Sequence, residues 1–184
     1  SKNILHDIRK KIIGLIRMSK KPFLFKNLHN SMRILPLRKA LPESLFIVCY
    51  RNPVDIAQSI LQCREKNLGS RSSWWSVPPR EYNEIKNKPP LQQVVEQAYY
   101  IYRQIEKDLS IGDMECVFNL HYSDLCNRPS QTMRAIKDWV EKQNIQLERQ
   151  FDLPDTFPIV AGRKICEDDY NKLVQYTKSL ASRS

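Results

Sequence analysis

Arg51 and Ser59 are the residues of this chain best suited by type and spacing to hold an anion. An apolar run, Leu45 to Tyr50, stops abruptly at Arg51; Asn52, Pro53 and Asp55 follow, and an amphipathic pattern begins. The pattern predicts a buried strand, an arginine at its C-terminal end, and a freshly capped helix. In an open α/β sheet, ligands bind just beyond the C-terminal ends of strands. A helix N-terminus adds N–H groups and a positive dipole end, which suit an anion. Arg51 therefore sits where a phosphate would be held. Ser59, two turns into the helix and roughly on the face of Asn52, has a hydroxyl to give the same phosphate. The competing reading is a surface arginine and an unrelated helix serine.

A second apolar run, Phe23–Phe25, ends at Lys26, as the first ends at Arg51. Two cations closing neighbouring strands would make a phosphate cradle; a lysine snorkelling from a strand end is the alternative. His29 follows three residues later. Attack by an acceptor hydroxyl needs a proton acceptor that titrates near neutrality, a task for which histidine is apt.

Arg51 and Ser59, spaced as they are behind a strand, resemble the 3′-phosphate-binding element of PAPS-dependent sulfotransferases. That family transfers a sulfuryl group from 3′-phosphoadenosine 5′-phosphosulfate (PAPS) to a hydroxyl or amine and releases PAP. The resemblance runs from about Phe23 to about Pro129. It implies that Lys26 stabilises the leaving phosphate, where charge builds in the transition state. It implies a general base at His29, although cytosolic members carry that histidine one residue nearer the lysine, and other branches use a glutamate from the N-terminal part instead, which would leave His29 a loop residue. Tyr122, in His121–Tyr122–Ser123–Asp124 after a further apolar run, resembles the family tyrosine near the adenine, with Ser123 in place of a glutamate. Arg163–Lys164 resembles an Arg-Lys-Gly segment that returns to the 3′-phosphate. Ile165 replaces the glycine, so an ordinary basic loop is the stronger competitor there. The resemblance implies no metal, because fixed cations neutralise the developing charge. Asp124 is expected to satisfy backbone groups in a turn.

These residues need a scaffold. Ile4, Leu5, Ile8, Ile12, Leu15 and Ile16 recur at helical spacing, which predicts a helix over 3–18. Phe23–Lys26 is expected as a buried strand, with Ser31 capping a helix that Pro42 stops. Leu45–Tyr50 is the second strand and 53–66 the next helix, with Pro53 in a first-turn position where its missing N–H is unneeded. Residues 91–110 are helical, Glu115–Leu120 reads as a third strand, Pro129 opens a helix to about Lys142, and Glu167 to about Leu180 forms the last. Strands alternating with helices argue for parallel βαβ units. The expected fold is therefore one three-layer α/β/α domain over 1–184 with a central parallel sheet, of the P-loop NTPase-like sulfotransferase type.

Two connections are long: 67–90, with Trp74, Trp75, Pro78 and Pro79, and 144–162. Loops of that length are often lids. The tryptophans either line an acceptor pocket or pin the loop to the core.

The family's 5′-phosphosulfate loop is a glycine-containing strand-to-helix turn whose N–H groups hold the donor. Glycine occurs only at 14, 69, 112 and 162, and none follows a plausible strand and opens a helix. The chain is therefore expected to represent the C-terminal portion of a sulfotransferase, incomplete at the N-terminus and unable to catalyse unaided. The opposing reading is a non-catalytic basic nucleotide- or nucleic-acid-binding module. The absence of GxxxxGK[ST] counts against a P-loop kinase.

Composition narrows the partners. The net charge of +10 implies an anionic one, or else a lysine-rich solvated surface. Such a partner is a nucleotide, a nucleic acid or an acidic glycan; the resemblance implies a nucleotide donor and a small-molecule or glycan acceptor. Five cysteines without a CxxC pair or ligand spacing read as reduced thiols of a cytoplasmic protein without a zinc site. No apolar run is long enough to span a bilayer.

Overall fold

A computed structural model of the chain describes residues 2–148 and 152–182. In chain order the elements are α1 (Lys2–Ser19), a 3₁₀ turn (Leu28–Met32), α2 (Ile34–Ala40), β1 (Phe46–Tyr50), α3 (Pro53–Leu68), α4 (Tyr82–Ile85) and α5 (Pro90–Leu109). A second 3₁₀ turn (Met114–Cys116), β2 (Val117–His121), α6 (Tyr122–Asn127), α7 (Pro129–Glu141) and α8 (Glu167–Ala181) follow. The class is α/β: helices and a small parallel sheet. No helix among the described residues is long and apolar enough to cross a membrane.

The chain divides into two compact units. The first comprises Ser1–Tyr50 and Leu109–Ile159; the second comprises Arg51–Asp108 and Val160–Ser184.

In the first unit β1 and β2 pair in parallel, from Phe46 opposite Val117 to Tyr50 opposite His121. Leu120 on β2 packs with Ile136 and Val140 of α7, and Phe118 and Trp139 close over them with ring centroids 5.4 Å apart. Each aliphatic side chain so buried contributes roughly 1.5–3 kcal/mol. The indole N–H of Trp139 donates to the Glu115 carbonyl at 2.8 Å, which anchors the entry to β2. Arg38 of α2 lies over the Phe46 ring and donates to the carbonyls of Ile111 (2.9 Å) and Asp113 (3.2 Å). α1 packs on α2, and Arg9 joins them through the Ala40 carbonyl (3.1 Å) and the Glu43 carboxylate (2.6 Å).

In the second unit the apolar stripe of α3 (Val54, Ala57, Leu61) meets Val94 and Val95 of α5 and Leu173 and Leu180 of α8. α3 begins where the sequence says it should. The Asn52 side chain accepts from the Val54 N–H at 2.9 Å, and Pro53 takes the first turn. It ends at Gly69, whose φ of 67° permits the left-handed stop and whose N–H returns to the Glu65 carbonyl.

Several expectations need correction. Residues 22–27 form no strand, and Phe23, Leu24 and Phe25 are exposed, Leu24 to 87%. An extended run becomes a strand only when a neighbour takes its N–H and C=O groups. Among the described residues β1 and β2 are the strands, and they pair with each other. The sheet there has two strands, not three. Ser31 caps nothing; its hydroxyl donates back to Leu28, while Asn27 caps the 3₁₀ turn through the His29 N–H at 3.0 Å. The stretch after β2 is not a turn but α6. Asp124 lies within it, paired with Arg128 one helical turn on at 2.6 Å.

Candidate functional site

Within the second unit, Arg51, Ser59, Arg163 and Lys164 come from two segments more than a hundred residues apart. The structure docks those segments on each other. Arg51 precedes the Asn52 cap of α3, is partly buried, and its guanidinium donates to the Val160 carbonyl. One turn into α3, Gln58 is fully buried. Its amide N–H₂ donates to the Gly162 carbonyl at 2.7 Å and to the Asp55 carboxylate at 2.9 Å, and its oxygen accepts the Lys164 N–H at 2.9 Å. One turn further, Gln62 donates to the Lys164 carbonyl at 3.3 Å. Residues 160–164 are thus laid along α3 by Arg51, Gln58 and Gln62. Gly162 has φ 82°, a left-handed conformation that glycine adopts without strain.

The two docked segments carry a guanidinium, the hydroxyl of half-buried Ser59 and the basic pair Arg163–Lys164, donor types that suit an anion. Arg163 is exposed, with Glu167 3.0 Å away in the first turn of α8. The Asn52 side chain already takes the N–H groups of Val54 and Asp55. The start of α3 therefore has its dipole, rather than those two donors, to offer an anion.

Lys26, His29 and Tyr122 belong to the first unit. Lys26 is exposed and closes no strand; His29 is exposed in the first 3₁₀ turn. Tyr122 opens α6 directly after β2 and is partly buried. His121 before it stacks on Tyr50, its register partner, with centroids 5.5 Å apart.

The 67–90 connection is fastened rather than loose. Arg64 of α3, fully buried, lies 5.0 Å from the Trp74 ring centre and donates to Gln93 (2.7 Å), Gln97 (3.2 Å) and the Arg71 carbonyl (3.2 Å). Burial without a carboxylate partner lowers its pKa from the usual arginine value. Gln97 holds the carbonyls of Trp75 and Val77, both at 2.9 Å, and Trp74 meets Tyr82 edge-on at 4.7 Å. Trp74 therefore pins this loop. Arg71 bonds both Glu65 and Asp169, and the guanidinium holds the Asp169 carboxyl below its ordinary range. The other long connection, 144–162, includes residues 149–151, which lie outside the described residues.

Sequence reading missed Gln58 and Gln62. The available signal was a glutamine between Ala57 and Leu61 in the apolar stripe of α3, because a buried amide must find partners. Among the described residues no group of three or more His, Cys, Asp or Glu side chains is arranged to hold a metal.

A family model described as the sulfotransferase family matches residues 5–143, well over half of the chain. Among curated proteins and among solved structures, none matches significantly. With an arginine after a parallel strand, a serine on the helix that follows, and a match of this extent, the chain belongs to the sulfotransferase family.

Proposed function

We propose that the chain serves sulfuryl transfer from PAPS to a hydroxyl or amine of an acceptor, and that Arg51, Ser59, Arg163 and Lys164 hold the 3′-phosphate. The observation that carries this reading is the docking of residues 160–164 along the helix that bears Ser59. PAPS, when bound, supplies an activated sulfuryl group whose transfer leaves negative charge on the 5′-phosphate. On this reading Lys26 neutralises that charge, His29 accepts the proton of the acceptor, and Tyr122 packs on the adenine. These three roles rest on the family resemblance. The proposal takes 1–184 as part of one three-layer sulfotransferase domain. The family match supports that, because it spans residues of both units. The chain carries no glycine-rich turn between a strand and a helix to cradle a phosphosulfate, so residues 1–184 alone are expected to bind the 3′-phosphate end without turnover. The +10 charge favours a polar or acidic carbohydrate as acceptor.

Calorimetric titration of PAP beside 5′-AMP, on the wild type and Arg51→Ala, tests the reading. A charged hydrogen bond to phosphate is worth about 1.5–3 kcal/mol. Wild type should therefore prefer PAP by roughly ten- to a hundredfold, and Arg51→Ala should abolish the preference. Equal binding of both nucleotides by the wild type would overturn it.

A further inference from the structure

The Gln58 amide has no spare donor. Both of its N–H groups are engaged, by Gly162 and Asp55, and its oxygen takes the Lys164 N–H. Asp55 is itself buried and, as a carboxylate, can only accept. It therefore fixes which way the amide faces: nitrogen to the Gly162 carbonyl, oxygen to the Lys164 N–H. The two contacts to the segment bracket one residue, Arg163. Gln58 also sits immediately before Ser59, so the side chain that grips the basic segment and the serine of the proposed phosphate site share one turn of helix.

We infer that Gln58 is a positioning residue for the nucleotide site: it sets Arg163 and Lys164 on α3 through the backbone on either side of Arg163, with Asp55 as the orienting group. The inference rests on the 3′-phosphate reading above and goes beyond it by assigning a role to a residue that touches no ligand. A glutamate at this position would set a carboxylate against Asp55 and against the Gly162 carbonyl. Methionine, of similar length, would leave two backbone groups and a carboxylate unpartnered.

The test uses the whole chain and two readouts. The first is the PAP-to-AMP affinity ratio by calorimetry for wild type, Gln58→Met, the pair Arg163→Ala and Lys164→Ala, and all three changes together. If Gln58 acts through the basic pair, Gln58→Met lowers the ratio about tenfold and the pair lowers it similarly. The combination then adds little, the non-additivity of coupled sites. Additive losses, or an unchanged ratio in Gln58→Met, would overturn the positioning role. The second readout is limited trypsin cleavage after Arg163 and Lys164, which should quicken about tenfold in Gln58→Met as the segment loosens.

The two readouts separate the failures. A wild type that protects Arg163 and Lys164 from trypsin yet shows no preference for PAP refutes the phosphate site, and with it Gln58's role there, while leaving the clamp in place. Faster cleavage with the preference intact refutes positioning alone. Should Gln58→Met lose its cooperative melt, Asp55→Asn replaces it in the same cycle. That change frees the amide to turn over, and a several-fold loss of the ratio, again non-additive with the basic pair, is expected; additivity would overturn the inference.

Discussion

The second unit ties its distant segments together with buried amides, whereas the first leaves a segment with its best chemical candidates at the surface. Gln58, Gln93 and Gln97 are each buried and each bind two backbone carbonyls or an equivalent set of partners across loops. Residues 22–29, which hold Lys26 and His29, are exposed along their length, apolar side chains included. Irregular backbone stays in place when side chains satisfy its polar groups, since the loop cannot do so for itself. Buried amides thus hold the irregular segments of the second unit in place, and substitutions in the two regions should differ sharply in cost.

Among the polar substitutions Arg64→Met should show the largest effect. The change removes a guanidinium that serves Gln93, Gln97 and the Arg71 carbonyl, and strands those acceptors in a dry interior. Each unsatisfied buried group costs about 1–3 kcal/mol. Relaxation spares part of that sum, and a loss of about 3 kcal/mol in urea unfolding is expected. A loss below about 1 kcal/mol would mean that the 67–90 loop is not held by this cluster.

Asn52→Ala should cost less, about 1 kcal/mol by the usual worth of an N-cap. It leaves the Val54 and Asp55 N–H groups without their side-chain acceptor. It also frees those donors for an anion, so PAP affinity should fall less than stability does. A parallel fall in both would show that Asn52 orders the site itself.

How much of this was legible in the sequence follows the same divide. Local signals placed α3 within two residues: Asn52 and Pro53 start it, and its apolar stripe runs to Leu61. β1, β2, α5, α7 and α8 were equally readable, because each carries its own periodicity and its own stops. The docking of 160–164 was not readable. Arg163–Lys164 is separated from Gln58 by more than a hundred residues, and its attachment uses backbone groups that no residue type reveals. Phe23–Lys26 failed for the opposite reason. Its composition suits a strand, but composition does not supply the partner that makes one.

The Arg9–Glu43 pair sharpens the comparison from the first unit's side. Hydrogen bonding to Arg9 lowers the Glu43 pKa from 4.5 to about 2. A depressed folded-state value means that the stabilisation is present above pH 4.5 and is lost as the pH falls towards 2. Glu43 is 67% exposed, so solvent screening keeps the contribution small. NMR titration of the Glu43 carboxyl should show the low value in the wild type and a return to the ordinary range in Arg9→Ala, with the melting temperature little changed at pH 7. A pronounced melting change there would mean that the junction of α1 with α2 depends on this pair rather than on packing.

Leu24→Ser should have the smallest effect, and it bears on the comparison most directly. A leucine buried in a strand would lose roughly 1.5–3 kcal/mol on removal of its apolar surface from the core. At 87% exposure Leu24 has almost no buried surface to lose, and a change within about 0.5 kcal/mol is expected. Urea unfolding of the wild type and this variant, beside Leu61→Ala as the buried reference, distinguishes the two. Leu61 is fully buried in the second unit and should cost about 2–5 kcal/mol. If Leu24→Ser approached Leu61→Ala in cost, residues 23–26 would be packed in solution after all. Lys26 would then close a strand as Arg51 does, and the contrast between the two units would lose its main support.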